Sequence, residues 1–218
     1  MLNSTETVTA GAGASLAGRT ADLPAANQWK GIALKLFLGA AVFASAIALP
    51  LYGPDAGFNA YDIYRALVFV HVTAALVAFG STFAIPVLQP LAARGGVVTL
   101  RMALKFSESL ERLIIAPGSL VVIASGVGLM FSDMTGYRHD PPLWLLIAIG
   151  WVVVVLALAI GVNGPATRRA IVMLEATPGD GPLPPALGSI TRRVTIVGQV
   201  MSLSVIAVLF LMVWKPNF

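Results

Sequence analysis

Cysteine is missing from this 218-residue chain, and histidine occurs only twice. Without thiols there are no disulfides, no thiolate nucleophiles, no cysteine-ligated zinc and no iron–sulfur clusters. With two imidazoles, a three-histidine centre within one chain is excluded. Charge is scarce as well: 11% of residues are charged, where a soluble domain carries about a quarter. Nor is there a nucleophile elbow, a phosphate loop, a metalloprotease histidine pair or a dinucleotide fingerprint. Gly126 and Gly128 form only a fragment of a glycine motif. They sit inside an apolar run, where small residues serve packing.

What is abundant is apolar surface, at 57% of residues. An aqueous core cannot use that much, so most of it faces lipid. Five runs are long enough to cross a bilayer, which takes about 20 residues. They are 31–51, 64–89, 110–131, 143–162 and 194–213. The predicted fold is therefore all-α, an integral membrane bundle of five transmembrane helices. Residues 1–30, rich in Ala, Gly, Thr and Ser, read as a disordered cytoplasmic tail before a transmembrane helical domain over 31–218. The tail lacks the basic start and short apolar core of a secretory signal. Residues 92–110 read as a polar loop with an interfacial helical turn, and 166–193 as a long loop with an irregular Pro- and Gly-rich centre.

The basic residues decide the orientation. Arg19, Lys30, Lys35, Arg94, Arg101, Lys105, Arg112, Arg168, Arg169, Arg192 and Arg193 fall on the side of the N-terminus. Arg65, Arg138 and Lys215 fall on the other. Such a split puts the N-terminus in the cytoplasm of a cell whose inner (plasma) membrane holds the chain. It also makes the net charge of +4 a topology signal, with no nucleic-acid partner implied. The partner read from composition is the lipid bilayer.

One run carries an ionisable residue, His71, where such a group is costly and has a reason to be there. On a helix, His71, Ala78, Thr82 and Gln89 share one stripe, which is small or polar and turned towards other helices. The plainer reading is a neutral imidazole bonded to a neighbouring helix. The sharper ones are a haem or metal ligand, or a proton relay. His139 lies in the connection 132–142 with Asp133 and Asp140, near Met130 and Met134. A solvated turn is the plainer reading there. The sharper one is a metal site, since carboxylate, imidazole and thioether together suit copper. Glu108, Glu111 and Arg112 mark an interfacial charge cluster, with Glu111 available to Arg192, Arg193 or a substrate charge. Gln199 and Ser202 read as polar contacts between helices.

The order LVFVHVTAALVAFG, then ERLIIAPGSLVVIASGVGLM, then a Trp-containing span, an Arg-rich loop and a closing MVWKP, is similar to one family. The chain resembles the predicted prokaryotic integral membrane proteins grouped as domain of unknown function 2269, over about Tyr61 to Pro216. The resemblance implies a four-helix core to which the first span is an addition. The histidine span also resembles the opening helix of copper-resistance and haem-associated membrane proteins, with Phe79 before Gly80 where those carry Trp. That likeness implies haem or copper as the cofactor for His71. The reading drawn from the residues is a non-enzymatic accessory or complex-forming subunit, acting as a homo-oligomer or within a larger membrane complex. The alternatives are a haem- or copper-binding protein using His71, and a small transporter.

Overall fold

The structure, a computed structural model, describes residues 25–179 and 181–216, with the side chains of 25–30 outside that description. Most of the expected tail therefore lies outside the described residues. The chain divides into two units, 1–40 and 41–218. The described part of the first unit is the opening of helix α1, Ala25–Tyr52. The described residues are helical with no strand, and five helical stretches are long and apolar enough to cross a membrane. The all-α five-span reading holds.

The second unit starts within α1. Pro50 removes the N–H that would bond the carbonyl of Ala46. Gly128 lies against that freed carbonyl, and a side chain there would strike it. Four long helical stretches follow. The second is α2, Ala60–Gly80, then a 3₁₀ turn, Ser81–Phe83, then α3, Ile85–Arg94. The third is α4, Gly96–Leu110, a π turn, Glu111–Ile115, and α5, Ala116–Phe131. The fourth is α6, Leu143–Leu158, a second π turn, Ala159–Asn163, and α7, Gly164–Glu175. The fifth is α8, Pro185–Trp214. Within the apolar region the closest packing pairs α2 with α5 and α6 with α8.

These stretches are longer than a membrane needs. At 1.5 Å per residue the 36-residue stretch Gly96–Phe131 runs about 54 Å, against a hydrocarbon core of about 30 Å. The excess is at the basic end, where α3, α4, α7 and the start of α8 form a helical head. Its core is Val97, Leu100, Leu104, Leu174 and Leu187, each at most 1% exposed, with Ala92, Ala103, Ala170 and Ile171 around them. The loop expected over 92–110 is thus a helix. The long loop expected over 166–193 shrinks to 176–184 between α7 and α8. Both segments are amphipathic. Val97, Leu100, Leu104 and Ser107 are buried at helical spacing, as are Thr167, Ala170, Ile171 and Leu174. Each segment buries that stripe against the other instead of against lipid.

Arg101 fastens the head. Its guanidinium donates to the carbonyls of Leu174, at 2.5 Å, and Thr177, at 2.7 Å, at the C-terminal end of α7. The Leu174 carbonyl, which also takes the Thr177 N–H at 3.3 Å, lies at the negative end of the helix dipole, and Thr177 lies just past it. Lys105, one turn on, pairs with Glu175 at 2.7 Å.

Candidate functional site

Three places gather polar chemistry. The first is His71, on the face of α2 that meets α5. Ala78 meets Gly118 there, Leu67 meets Gly128, and the His71 ring lies over Gly126. A Cβ on Gly126 would stand 3.0 Å from His71 Cε1. The Nδ1 of His71 is 2.9 Å from the carbonyl oxygen of Val122 and 3.2 Å from the hydroxyl of Ser125. A carbonyl only accepts, so Nδ1 carries the proton and Nε2 the lone pair. Ser125 donates its own proton to Val121, at 2.6 Å. Nε2 has no hydrogen-bond partner among the described residues. The stripe predicted with His71 turns inward: Ala78 is fully buried, Gln89 is 5% exposed and Thr82 is half-buried.

The second is the connection 132–142. Thr135 ties it to the end of α5, donating to the carbonyls of Leu129 and Ser132, each at 2.9 Å. Gly136 takes a φ of +71°, which suits glycine. His139, Asp133, Met134 and Asp140 are exposed there, and Met130 is half-buried in the last turn of α5. Among the described residues no three His, Asp or Glu side chains are grouped as a metal would require. His71 bonds only to α5, so no hydrogen bond joins the two histidines.

The third is a cleft of about 140 Å³ at the basic end, between the first π turn with its flanking helices and the start of α7. Glu108, Glu111 and Arg112 line it from the α4–α5 side, and Gly164, Thr167 and Arg168 from α7. Both walls have the same construction: a π turn, then a proline at the second position of the next helix, Pro117 or Pro165. Proline cannot donate to the carbonyl four residues back, and π turns recur at functional sites. Glu108 and Arg112 form an ion pair one turn apart. Glu111 is half-buried, and the charge that attracts it most is Arg168. Its expected partners Arg192 and Arg193 form no ion pair with it among the described residues. Sequence reasoning found the acidic wall and missed Thr167 and Arg168 as its opposite, because 166–193 read as a loop.

The polar contacts expected on α8 divide. Ser202 is buried and donates to the carbonyl of Thr82, at 3.2 Å, sharing that proton with Gly198. The Thr82 carbonyl is the one Pro86 leaves without a helical donor. Gln199 is exposed.

Beside His71, but on the outer side of the α2–α5 pair, runs an open apolar groove of about 440 Å³ between Phe69, Thr73 and Val77 on one bank and Ile114, Pro117 and Val121 on the other.

No curated protein and no solved structure matches the chain. Residues 65–216 do match one family, and these are the four helical stretches that carry the His71 contact, the paired π turns and the head, without α1. The chain belongs to the family described as predicted integral membrane protein, domain of unknown function 2269.

Proposed function

We propose that this multi-span membrane protein is a non-enzymatic subunit of a membrane assembly, either of its own copies or of other chains. It sits in the inner (plasma) membrane of a prokaryotic cell with its basic end in the cytoplasm. The observation that carries the reading is what His71 does. The one ionisable group well inside the apolar region closes α2 onto α5 through Val122, over a glycine that gives it room. Ser202 does similar work between α8 and the turn after α2. Intramembrane polar groups used in this way hold helices together. The orientation is supported by the eleven-to-three division of Lys and Arg between the two ends. The test is native mass spectrometry of protein taken from its own membrane in polymer-bounded discs. A stoichiometric assembly of two or more chains is expected, and a lone chain at native abundance refutes the reading.

A second reading rests on the tautomer of His71. Its Nδ1–H is held by a carbonyl, the arrangement that orients metal-ligating imidazoles, and Nε2 keeps its lone pair. Haem or copper would be held through that atom. The exposed His139, Asp133 and Met134, with the half-buried Met130, would suit a copper-type ion. The third reading, a small transporter, gains the paired π turns, since interrupted helices in two stretches are how many transporters build a site.

A further inference from the structure

The cleft between the first π turn and the start of α7 has charges that the ion pairs around it leave unmatched. Glu108 and Arg112 answer each other. That leaves Glu111 on one wall and Arg168 on the other, each drawn to the other but joined by no ion pair among the described residues. Next to Arg168 in sequence, Thr167 is only 5% exposed yet lines the cleft. A helical threonine can give its proton to a carbonyl one turn back, as Thr99 and Thr191 do here. The Thr167 hydroxyl has no such partner among the described residues. Asn163, one turn back, belongs to the π turn. The Thr167 hydroxyl is not sealed from solvent, so it opens into the cleft and is available to a group bound there.

The depth of the cleft narrows the ligand. Leu113 and Ile114, next along from Glu111 and Arg112, are exposed apolar residues. The head beyond carries Lys105 and Glu175 on its surface. The cleft is thus at the level where lipid-facing surface gives way to polar surface, which is where headgroups lie. Pockets between membrane helices at that level bind headgroups. A purely anionic group would meet Glu111 and Glu108, and a purely cationic one would meet Arg168 and Arg112. A group with both signs satisfies both walls.

We propose that the cleft binds a phosphoethanolamine group. Its phosphate accepts from the Arg168 guanidinium and the Thr167 hydroxyl, and its ammonium donates to the Glu111 carboxylate. Guanidinium and phosphate match in bidentate geometry. The source is either the headgroup of phosphatidylethanolamine in the bilayer or the soluble zwitterion. A trimethylated ammonium has no N–H to donate, so phosphatidylcholine is a poor substitute. The site stands whether or not the protein works in an assembly.

The test uses the full chain in nanodiscs of equal phosphatidylethanolamine, phosphatidylglycerol and phosphatidylcholine, with retained lipid read by native mass spectrometry. The wild type should retain phosphatidylethanolamine over each of the others by about threefold to fivefold, the scale of one part-exposed ion pair. Glu111→Gln should erase the preference over phosphatidylglycerol. Arg168→Gln should weaken retention of all three, and Lys105→Gln, outside the cleft, should change nothing. Adding excess soluble phosphoethanolamine tells the sources apart: displacement of bound lipid admits the free zwitterion, and no displacement assigns the site to the lipid. Equal retention of phosphatidylglycerol and phosphatidylethanolamine by the wild type overturns the proposal. So does an unchanged preference in Glu111→Gln that keeps its helical circular dichroism. If that variant does not fold, the wild-type ranking alone decides.

Discussion

A Cβ placed on Gly126 would stand 3.0 Å from Cε1 and 3.4 Å from Nδ1 of His71. Gly126→Ala therefore pushes the imidazole by a few tenths of an ångström, off a bond that is 2.9 Å to Val122. Overpacking of this kind costs about 1–3 kcal/mol, and the half-buried ring favours the low end. Taken alone, His71→Ala loses that hydrogen bond, worth about 0.6 kcal/mol on average between membrane helices and about 1.7 at most. It also loses the packing of part of a ring, so we expect about 2 kcal/mol in all. In the double variant the alanine methyl enters the space the imidazole leaves, and Gly126→Ala should cost nothing. The cycle should show coupling of about 1 kcal/mol, well above the 0.3–0.5 kcal/mol or so at which distant sites still count as additive. Unfolding in bicelles by steric trapping reads each corner. His71→Asn, whose amide reaches as far as Nδ1, should retain more stability than His71→Ala. A Gly126→Ala cost that is the same with and without His71 would refute the packing geometry.

Other outcomes follow from the same structure. Asp140→Cys, in the exposed connection, should react with an impermeant maleimide on intact cells, and Pro182→Cys only after permeabilisation; the reverse pattern would overturn the orientation. Arg101→Gln loses the bonds to the Leu174 and Thr177 carbonyls and should lower stability by about 2 kcal/mol, with Arg101→Lys recovering part of it; an unchanged melting midpoint would mean that the head does not depend on this clasp. If Nε2 of His71 ligates haem, the purified protein shows a Soret band that His71→Gln removes, and a featureless visible spectrum in protein purified from haem-supplied cells removes that reading.

The spans were legible because lipid imposes a crude rule. About 20 apolar residues in a row have few uses other than crossing a membrane, and all five runs are built as helices. The inward turn of His71 was legible from its stripe. The partner was not, since nothing in the spacing of α2 says that Val122 rather than any other carbonyl will be opposite Nδ1. Gly126 read as packing, and it is packing, but that its open space belongs to the imidazole is a fact about two helices at once.

The head was missed although its signal is in the sequence. Val97, Leu100, Leu104 and Ser107 keep helical spacing, and so do Thr167, Ala170, Ile171 and Leu174. Both stripes are narrow and flanked by Arg and Lys, so next to runs that are apolar on every side they read as loops. A membrane protein asks for two periodicity rules in one chain. In lipid, the polar or small stripe is the buried one; past the headgroups, the apolar stripe is. The change of rule falls at 111–115 and 159–163, the two π turns. A π turn rotates the helix that follows relative to the one before, so the face aimed at protein in lipid need not be the face aimed at protein in water. The two prolines, Pro117 and Pro165, are the only trace of this in the sequence. The cleft with Glu111 and Arg168 lies where the rule changes, where neither an apolar contact nor free water settles its charges.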